Sequence, residues 1–212
     1  MRPTKLVQLL LVVSLAVSLL GACSSAPPTH YYILAPTRPA PDVAAPASDP
    51  AGLTIGVEPF TVDPPYDRDQ LVYRLGTDSV EVGFYTYHRW AAPLGDLVAV
   101  SMAEGLRGTP GIDRIEPVTA GGDYSAFLRG RVVYLEEIDV PDQQLARLGL
   151  ELRLVGKDDQ MIWSGEVEGS AAGSNETVAG IVEQLYEAFD QALEQARAAL
   201  AQTARMHAGR LE

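Results

Sequence analysis

The chain has 212 residues, with 28 acidic against 16 basic side chains and a net charge of −12 at pH 7. Such an acidic chain repels nucleic acid and anionic lipid head groups, which argues against binding either of them through charge. The single cysteine, Cys23, excludes an internal disulfide, and the length suits one domain with a substantial core.

The first residues have the pattern of an export signal. Two basic residues precede an apolar run from Leu6 to Leu20, which is too short for a comfortable membrane-spanning helix. The run ends in the sequence LGAC, with Cys23 last, and this resembles the lipobox of bacterial lipoproteins. The resemblance implies cleavage before Cys23, a diacylglyceryl group on its thiol and an acyl chain such as palmitate on its amine. Residues 1–22 are therefore predicted to be a lipoprotein signal peptide, the alternative being an ordinary signal peptide followed by an unrelated cysteine.

Cleavage would leave residues 23–212, with 14 basic against 28 acidic side chains and a net charge of −14. Because this surface repels anionic lipid, the covalent lipid on Cys23 is expected to anchor the protein without help from a basic patch. Residues 23–29 are predicted to be the lipidated tether. Residues 36–51, rich in proline and alanine, are predicted to be an irregular connector within the folded domain.

Most of the remaining sequence predicts strands, since apolar residues alternate with polar ones between turn residues. The alternation is cleanest in residues 145–155, where every second residue from Leu148 to Leu154 is leucine. The predicted strands are 31–34, 53–57, 71–74, 80–89, 112–118, 124–138, 145–155 and 161–168. Asp158-Asp159-Gln160 is predicted to join the last two strands as a hairpin.

Two segments have helical periodicity. Pro93 begins the first helix, which Gly108 and Pro110 end, and the second begins near Ser174. Strands grouped with two helices, without regular βαβ alternation, predict a single α+β domain over residues 30–202. We expect a mostly antiparallel sheet with both helices packed on one face. Residues 203–212 are predicted to be a frayed tail.

Enzyme signatures are absent from the sequence: there is no GxSxG, no HExxH and no phosphate-binding GxxxxGK[ST] loop. The sequence therefore predicts no catalytic residue, no metal ligand and no cofactor apart from the lipid on Cys23. A hydrolase of envelope glycan or lipid stays an alternative, because paired carboxylates meet only in the fold. Another alternative is a lipoprotein that activates a cell-wall synthase.

Four aromatic and arginine-bearing segments stand out behind the lipobox. They are Tyr31 to Leu34, Pro64 to Arg68, Val72 to Arg74 and Tyr87 to Leu94. In this order they resemble the ABC-type transport auxiliary lipoprotein family, the PqiC-like subunits of membrane-integrity-associated transporters. The strongest match is the last segment, where the family has a Trp-Ala-x-Pro-Leu stretch that begins a helix. The second segment departs from the family, which usually has an apolar residue between the tyrosine and the Asp-Arg pair.

The resemblance implies a non-catalytic lipoprotein that accompanies an ABC transporter containing a periplasmic protein with mammalian-cell-entry (MCE) domains. Such systems move lipids or other hydrophobic molecules between the two membranes and support envelope integrity. The lipoprotein would lie on the periplasmic face of the outer membrane, and a homo-oligomer is compatible with this role. Ser24 agrees with that location, because it replaces the aspartate that resembles an inner-membrane retention signal.

Tyrosine, tryptophan and arginine are the usual anchors of protein interfaces. The candidate partner-binding residues are therefore Tyr66, Arg68, Arg74, Arg89 and Trp90. Four of them also have a structural alternative. Trp90 is expected to fill the core before the first helix and Tyr66 to pack on the prolines beside it, while Arg68 and Arg74 could pair with Asp67 or Asp69.

Overall fold

The protein is described by a computed structural model over residues 26–37, 52–140, 143–173 and 177–209. The predicted signal peptide, Cys23 and residues 38–51 of the predicted connector lie outside these ranges. The strands are β1 (His30–Tyr32), β2 (Leu53–Val57), β3 (Thr61–Val62), β4 (Gln70–Arg74), β5 (Val82–Trp90), β6 (Ile112–Pro117), β7 (Ala126–Val140), β8 (Gln143–Gly156) and β9 (Met161–Gly173). The helices are α1 (Leu94–Gly105) and α2 (Val178–Ala208).

Three long antiparallel strands form the centre of the sheet. β7 pairs with β8 from Ala126 opposite Gly156 to Val140 opposite Gln143, and β8 pairs with β9 along most of its length. The predicted hairpin between β8 and β9 is confirmed. The alternating leucines of β8 are almost completely buried, which explains why period two is clearest there.

Shorter strands occupy the other edge of β7. β2, β3 and β4 each pair with successive parts of that edge in the parallel sense. The path through the sheet is β1-β5-β4-β7-β2-β6, so the sheet is mixed. Most paired residues nevertheless lie in antiparallel ladders, and the predicted α+β class is confirmed.

Both helices pack on one face of the sheet, here called the helix face. The Ala188 backbone of α2 lies against Gly169 of β9 so closely that a Cβ atom there would collide with its carbonyl oxygen. The Leu193 side chain of α2 lies against Gly105 of α1, where a Cβ atom would also collide. Ala146 and Leu148 of β8 point to the helix face, whereas Arg147 between them points to the opposite, open face.

Helix α2 begins at a cap and covers the edge of β9. The Thr177 hydroxyl accepts a hydrogen bond from the Gly180 amide at 3.2 Å, as an N-cap residue does. Further along, Gln191 and Gln195 accept bonds from the amides of Ser170 and Glu168 on β9. These side chains satisfy backbone groups that would otherwise form an open sheet edge. The helix continues to Ala208, beyond the predicted domain end at residue 202.

The segment after β1 crosses the helix face and contacts both helices. Ser101 of α1 donates to the Leu34 carbonyl at 2.5 Å, and Tyr186 of α2 donates to the Ile33 carbonyl at 2.7 Å. The Thr37 amide donates to Asp190 at 3.1 Å. The chain that follows the predicted tether is therefore fixed to the body of the domain.

Candidate functional site

Tyr66 and Arg74, two of the predicted contact residues, meet at a buried carboxylate on the open face. The carboxylate belongs to Glu136 of β7, which is 1% exposed. Tyr66 donates to Glu136 Oε2 at 2.6 Å, and Arg74 Nη2 donates to the same oxygen at 3.1 Å. Arg147, directly opposite Glu136 in the ladder, donates from Nε to Oε1 at 2.8 Å and also from Nη2. Two guanidinium groups thus compensate one buried negative charge.

The loop before β4 is closed down on this network. Tyr66 is 5% exposed, so its ring offers almost no surface to a partner. Burial, together with the Glu136 carboxylate, raises the pKa of Tyr66 to about 12, and the hydroxyl therefore stays protonated as a donor. Arg74 also donates to the Ser79 carbonyl at 3.0 Å, which ties the network to the turn between β4 and β5.

Arg68 is held by its own loop and by an aromatic ring. Its Nε donates to the Pro65 carbonyl at 2.6 Å, and its guanidinium carbon lies 3.7 Å from the centre of the Phe84 ring. This geometry is a cation–π contact, whose strength is about 0.5–1 kcal/mol at exposed sites. The side chain stays half-exposed, so Arg68 combines a fixed position with access to solvent.

Arg89 and Trp90 are neighbours with opposite environments. Trp90 is 4% exposed, as expected for a residue that fills the core before α1, and its amide donates to the Asp69 carbonyl at 2.6 Å. Arg89 forms an ion pair at 2.6 Å with the Asp69 carboxylate, and these side chains are 32% and 53% exposed. Only Arg89 of this pair is placed to touch a partner.

An exposed aromatic residue lies beside Arg89. Tyr31 of β1 is in register with Arg89 of β5 and is 66% exposed. Ile33 and Tyr87 are exposed nearby in the sequence. We call Tyr31, Asp69 and Arg89 the β1–β5 surface. It combines an aromatic ring, a cation and an unpaired strand edge among the residues described, a combination suited to protein contact.

Aromatic stacking attaches β1 to β5 on the helix face behind that surface. The Tyr32 hydroxyl lies 2.8 Å from His88 Nδ1, and the His88 ring stacks on the rings of both Tyr32 and His30. Burial, followed by the nearby His30, lowers the pKa of His88. The imidazole is thereby kept neutral at physiological pH, and it serves as a structural link between the two strands.

Two adjacent buried carboxylates, Glu136 and Glu137, were not predicted from the sequence. Glu137 is 2% exposed and pairs with Ala146, which places it on the helix face, opposite to Glu136. Its bonding partner is Tyr85, which donates to Oε2 at 2.6 Å. Burial raises the pKa of Glu137 and the charge of Asp139 raises it further, while the Tyr85 bond lowers it. Two glutamates inside a strand otherwise rich in apolar residues were the available signal.

Neither a metal centre nor a spanning helix is present in the parts of the chain that the structure describes. Histidine, cysteine and acidic side chains do not gather there in groups of three arranged to hold a metal. None of the described helices has the length and apolar character needed to cross a membrane. On the open face, a shallow groove of about 330 Å³ beside Tyr134 and Gly149 has an acidic rim formed by Glu151, Glu166 and Glu168.

The family model of the ABC-type transport auxiliary lipoprotein component matches residues 32–202. The chain belongs to this family. The match begins at the last residue of β1 and extends through most of α2, so it covers nearly all of the sheet and both helices. The family identity predicted from the aromatic and arginine-bearing segments is confirmed.

Solved structures support the fold of this auxiliary lipoprotein. A crystal structure of a Xanthomonas campestris protein from family DUF330 has a TM-score of 0.66 at 18% identity, covering 84% of this chain and 98% of that one. A second, an uncharacterised protein, has a TM-score of 0.58 at 15% identity and covers 83% of this chain and 98% of that one. At these identities the likeness concerns the fold alone. No curated protein matches the chain.

Proposed function

We propose that this auxiliary lipoprotein is a non-catalytic component of an ABC transporter with an MCE-domain protein, working at the periplasmic face of the outer membrane. Its cargo would be lipid or another hydrophobic molecule, and its loss would weaken the envelope. Membership of the ABC-type transport auxiliary family is the observation that carries the proposal. The contacts of Glu136 support it, because this buried carboxylate is occupied by Tyr66, Arg74 and Arg147 rather than free for acid–base chemistry.

The short tether limits where the domain can stand. His30 lies seven positions after Cys23, and an extended chain spans at most 3.3–3.6 Å per residue, or about 25 Å in all. Because β1 is part of the sheet, a lipid on Cys23 would hold the folded domain near its membrane. A partner rooted in the inner membrane would then have to cross most of the periplasm, as an elongated MCE assembly could.

We place the partner contact at the β1–β5 surface, with Arg68 as a second exposed cation. Arg89 and Tyr31 would touch the partner directly. Tyr66, Arg74 and Trp90 would act from beneath by fixing the loop and strands that carry those side chains, since all three have structural contacts. Of the five residues predicted from sequence, this proposal assigns contact to Arg68 and Arg89.

Co-purification tests the proposal. The full-length protein, expressed at its native level with a C-terminal tag, is extracted from envelopes in dodecyl maltoside and captured. We expect the MCE-domain protein and its permease to be recovered with it, and Tyr31→Ala with Arg89→Ala to reduce that recovery several-fold. A matched variant on the open face, Glu166→Gln, is expected to leave recovery unchanged. Recovery of a cell-wall synthase, with no transporter subunit, would contradict the proposal.

Anchoring is tested separately with Cys23→Ser. The variant is expected to lose lipid modification, to keep its signal peptide and to leave the outer-membrane fraction of a density gradient. Wild-type protein that equilibrates with the inner membrane would contradict the proposed location without touching the partner assignment.

A further inference from the structure

The turn between β4 and β5 carries two exposed aliphatic side chains. Val80 is 99% exposed, more than any other large hydrophobic residue in the described ranges, and Leu75 is 61% exposed. One exposed aliphatic residue on a protein surface is ordinary. Here two of them flank a single turn and make it an apolar projection from the end of the sheet. We call residues 75–80 the β4–β5 tip.

Hydrogen bonds give the β4–β5 tip a defined shape. The Ser79 amide donates to the Gly76 carbonyl at 3.3 Å, and Gly76 has the positive φ of 101° that glycine adopts in turns. Arg74 donates from Nη1 to the Ser79 carbonyl at 3.0 Å, which attaches the turn to the buried carboxylate network on the open face. The two aliphatic side chains are therefore displayed to solvent by an ordered turn.

The predicted lipid anchor lies toward the same end of the sheet as the tip. β1 pairs with β5 in the parallel sense, with His30 opposite His88, so the chain before His30 leaves β1 toward the beginning of β5. Val82, the first residue of β5, lies six positions before His88, or at most about 20 Å along the strand. Cys23 can lie about 25 Å from His30. A lipid on Cys23 can therefore reach the level of the tip.

The proposed partner contact lies at the other end of β5. Arg89 pairs with Gln70 at the start of β4, whereas Val82 pairs with Arg74 beside the tip. If the tip faces the membrane, the β1–β5 surface points away from it, toward a partner that crosses the periplasm. A lipid anchor alone limits the distance of the domain from the membrane but leaves its orientation free. A second contact at the tip would fix that orientation.

The charges at the tip favour an uncharged lipid surface. Asp78 and Glu81 are exposed, and residues 75–80 include no lysine or arginine. The nearest cation on this turn, Arg74, is paired with the buried Glu136. Anionic head groups would thus be repelled, and attraction has to come from apolar contact. Aliphatic side chains make such contact by burial at the boundary between head groups and acyl chains.

We propose that the β4–β5 tip inserts Leu75 and Val80 into a zwitterionic lipid surface, that of the membrane which holds the lipid of Cys23. The lipid and the tip together orient the domain, with the β1–β5 surface directed into the periplasm. This inference rests on the lipid anchoring in the proposed function, and it does not depend on which protein the β1–β5 surface meets.

Fluorescence quenching tests the contact with the lipidated full-length protein in phosphatidylcholine vesicles. Cys23 is the only cysteine and its thiol would be occupied by lipid, so Thr77→Cys places a single nitrobenzoxadiazole label on the tip. We expect strong quenching of this label by doxyl-labelled phosphatidylcholine. The same label at Met161→Cys is the control, because Met161 is exposed about 35 Å away along the sheet and should be quenched little.

Removing the aliphatic side chains separates the tip contact from anchoring. Leu75→Ser with Val80→Ser, in the Thr77→Cys protein, should reduce quenching several-fold while the protein still floats with the vesicles. Phosphatidylglycerol mixed into the vesicles should reduce quenching as well, because of Asp78 and Glu81. Unchanged quenching in the double serine variant, or equal quenching of the two label positions, would overturn the proposal. So would quenching that phosphatidylglycerol increases.

Two further results identify a different occupant of the tip. Dissociation of an oligomer in dodecyl maltoside by the double serine variant would make the tip an interface between copies of this chain. Reduced recovery of the MCE-domain protein by the same variant would make the tip a partner contact. Either result overturns the lipid assignment. Wild-type protein that does not float with the vesicles would contradict the anchoring itself, and flotation shows this independently of the label.

Discussion

Glu136 and Glu137 are consecutive residues of one strand, and both are almost inaccessible to solvent. On the open face, two guanidinium groups and a tyrosine hydroxyl surround Glu136. On the helix face, one tyrosine hydroxyl reaches Glu137, and the nearby Asp139 adds a second negative charge. The two glutamates are buried to nearly the same extent. Among the described residues, arginines balance the negative charge of Glu136, whereas no cation is paired with Glu137.

The difference follows from strand geometry. Successive side chains of a strand point to opposite faces, so adjacent residues meet different sets of neighbours. Glu136 faces Arg147 across the ladder, while Glu137 faces Ala146. A buried charge that is fully paired holds its neighbours in place, because removing one partner leaves the other charge buried and unpaired, which costs free energy. A buried carboxylate that has no paired cation instead tends to take up a proton, which agrees with the raised pKa of Glu137.

The largest effect is expected from removing both cations of Glu136. Arg74→Met together with Arg147→Met keeps the apolar stems but leaves the carboxylate buried with the Tyr66 hydroxyl alone. Breaking a buried ion pair from one side costs about 3–5 kcal/mol, and we expect a loss of this size in the free energy of unfolding measured with urea. Adding Glu136→Leu should recover part of it, since the stranded charge is then gone. A loss below about 1 kcal/mol, the range of exposed pairs, would mean that Glu136 is not truly isolated from water.

A smaller effect is expected from Tyr66→Phe, which removes one neutral donor from the same carboxylate. A hydrogen bond to a charged group contributes about 1.5–3 kcal/mol, so urea unfolding at pH 7 should show a loss in that range. Because the pKa of Tyr66 is raised to about 12, the wild-type hydroxyl is a donor throughout the neutral range. The loss should therefore be the same at pH 6 and pH 8, and a strong change between them would contradict this assignment.

The third prediction concerns Glu137, whose replacement is expected to increase stability rather than to reduce it. The folded-state pKa of Glu137 is raised above its ordinary value of 4.5, so folding favours its protonated form. Its contribution to stability is complete below the unfolded-state pKa and is lost as pH rises through the folded-state pKa. Asp139 on β7 and Tyr73 and Tyr85 on neighbouring strands are the titratable groups that accompany it. Glu137→Gln removes this loss and should gain stability relative to wild type as pH rises from 4 to 7.

Urea unfolding of both proteins at several pH values checks this gain. The difference in unfolding free energy should change in favour of Glu137→Gln across that interval and then level off. A difference independent of pH would show that Glu137 has an ordinary pKa in the fold, and the contrast with Glu136 would lose its electrostatic basis. Glu168→Gln is a suitable control, since the same chemical change there lies on an exposed part of β9.

Most of the helices and strands could be predicted from the sequence, but the side-chain neighbours that each face of the sheet brings together could not. Alternating leucines predicted β8, and Pro93 predicted the start of α1, because these signals lie within a few residues of one another. The two-residue strand β3 was missed, since Thr61 and Val62 are too few to form a pattern. Its pairing with β7 depends on residues about 70 positions away.

The candidate site illustrates the same limit. Tyr66, Arg74 and Trp90 were singled out by residue type, which is compatible with either an interface or a core position. The structure shows that Tyr66 and Trp90 are buried. Nothing in the local sequence indicated that Arg147 lies opposite Glu136, or that Gln184 lies above Gly173. Those neighbours are set by strand register and by the packing of α2, which are properties of the whole fold.

The smallest effect on stability is expected from replacing Arg89. It allows an exposed ion pair to be compared with the buried ion pairs of Glu136. Arg89 and Asp69 are far more accessible than the Glu136 network, so Arg89→Met should change the free energy of unfolding by less than about 1 kcal/mol. Salt should reduce even that change, because exposed charges are screened over about 8–10 Å at physiological ionic strength. Since the fold is kept, a drop in recovery of the MCE-domain protein by Arg89→Met would reflect lost contact rather than unfolding. Arg129→Met, which removes another exposed cation paired with Glu58 and Asp159, is the matched control and should leave recovery unchanged. If both variants recover equal amounts of the MCE-domain protein, the partner contact does not lie on the β1–β5 surface. If Arg89→Met destabilises the protein as much as the double arginine variant does, Arg89 has a structural role like that of the arginines that bind Glu136.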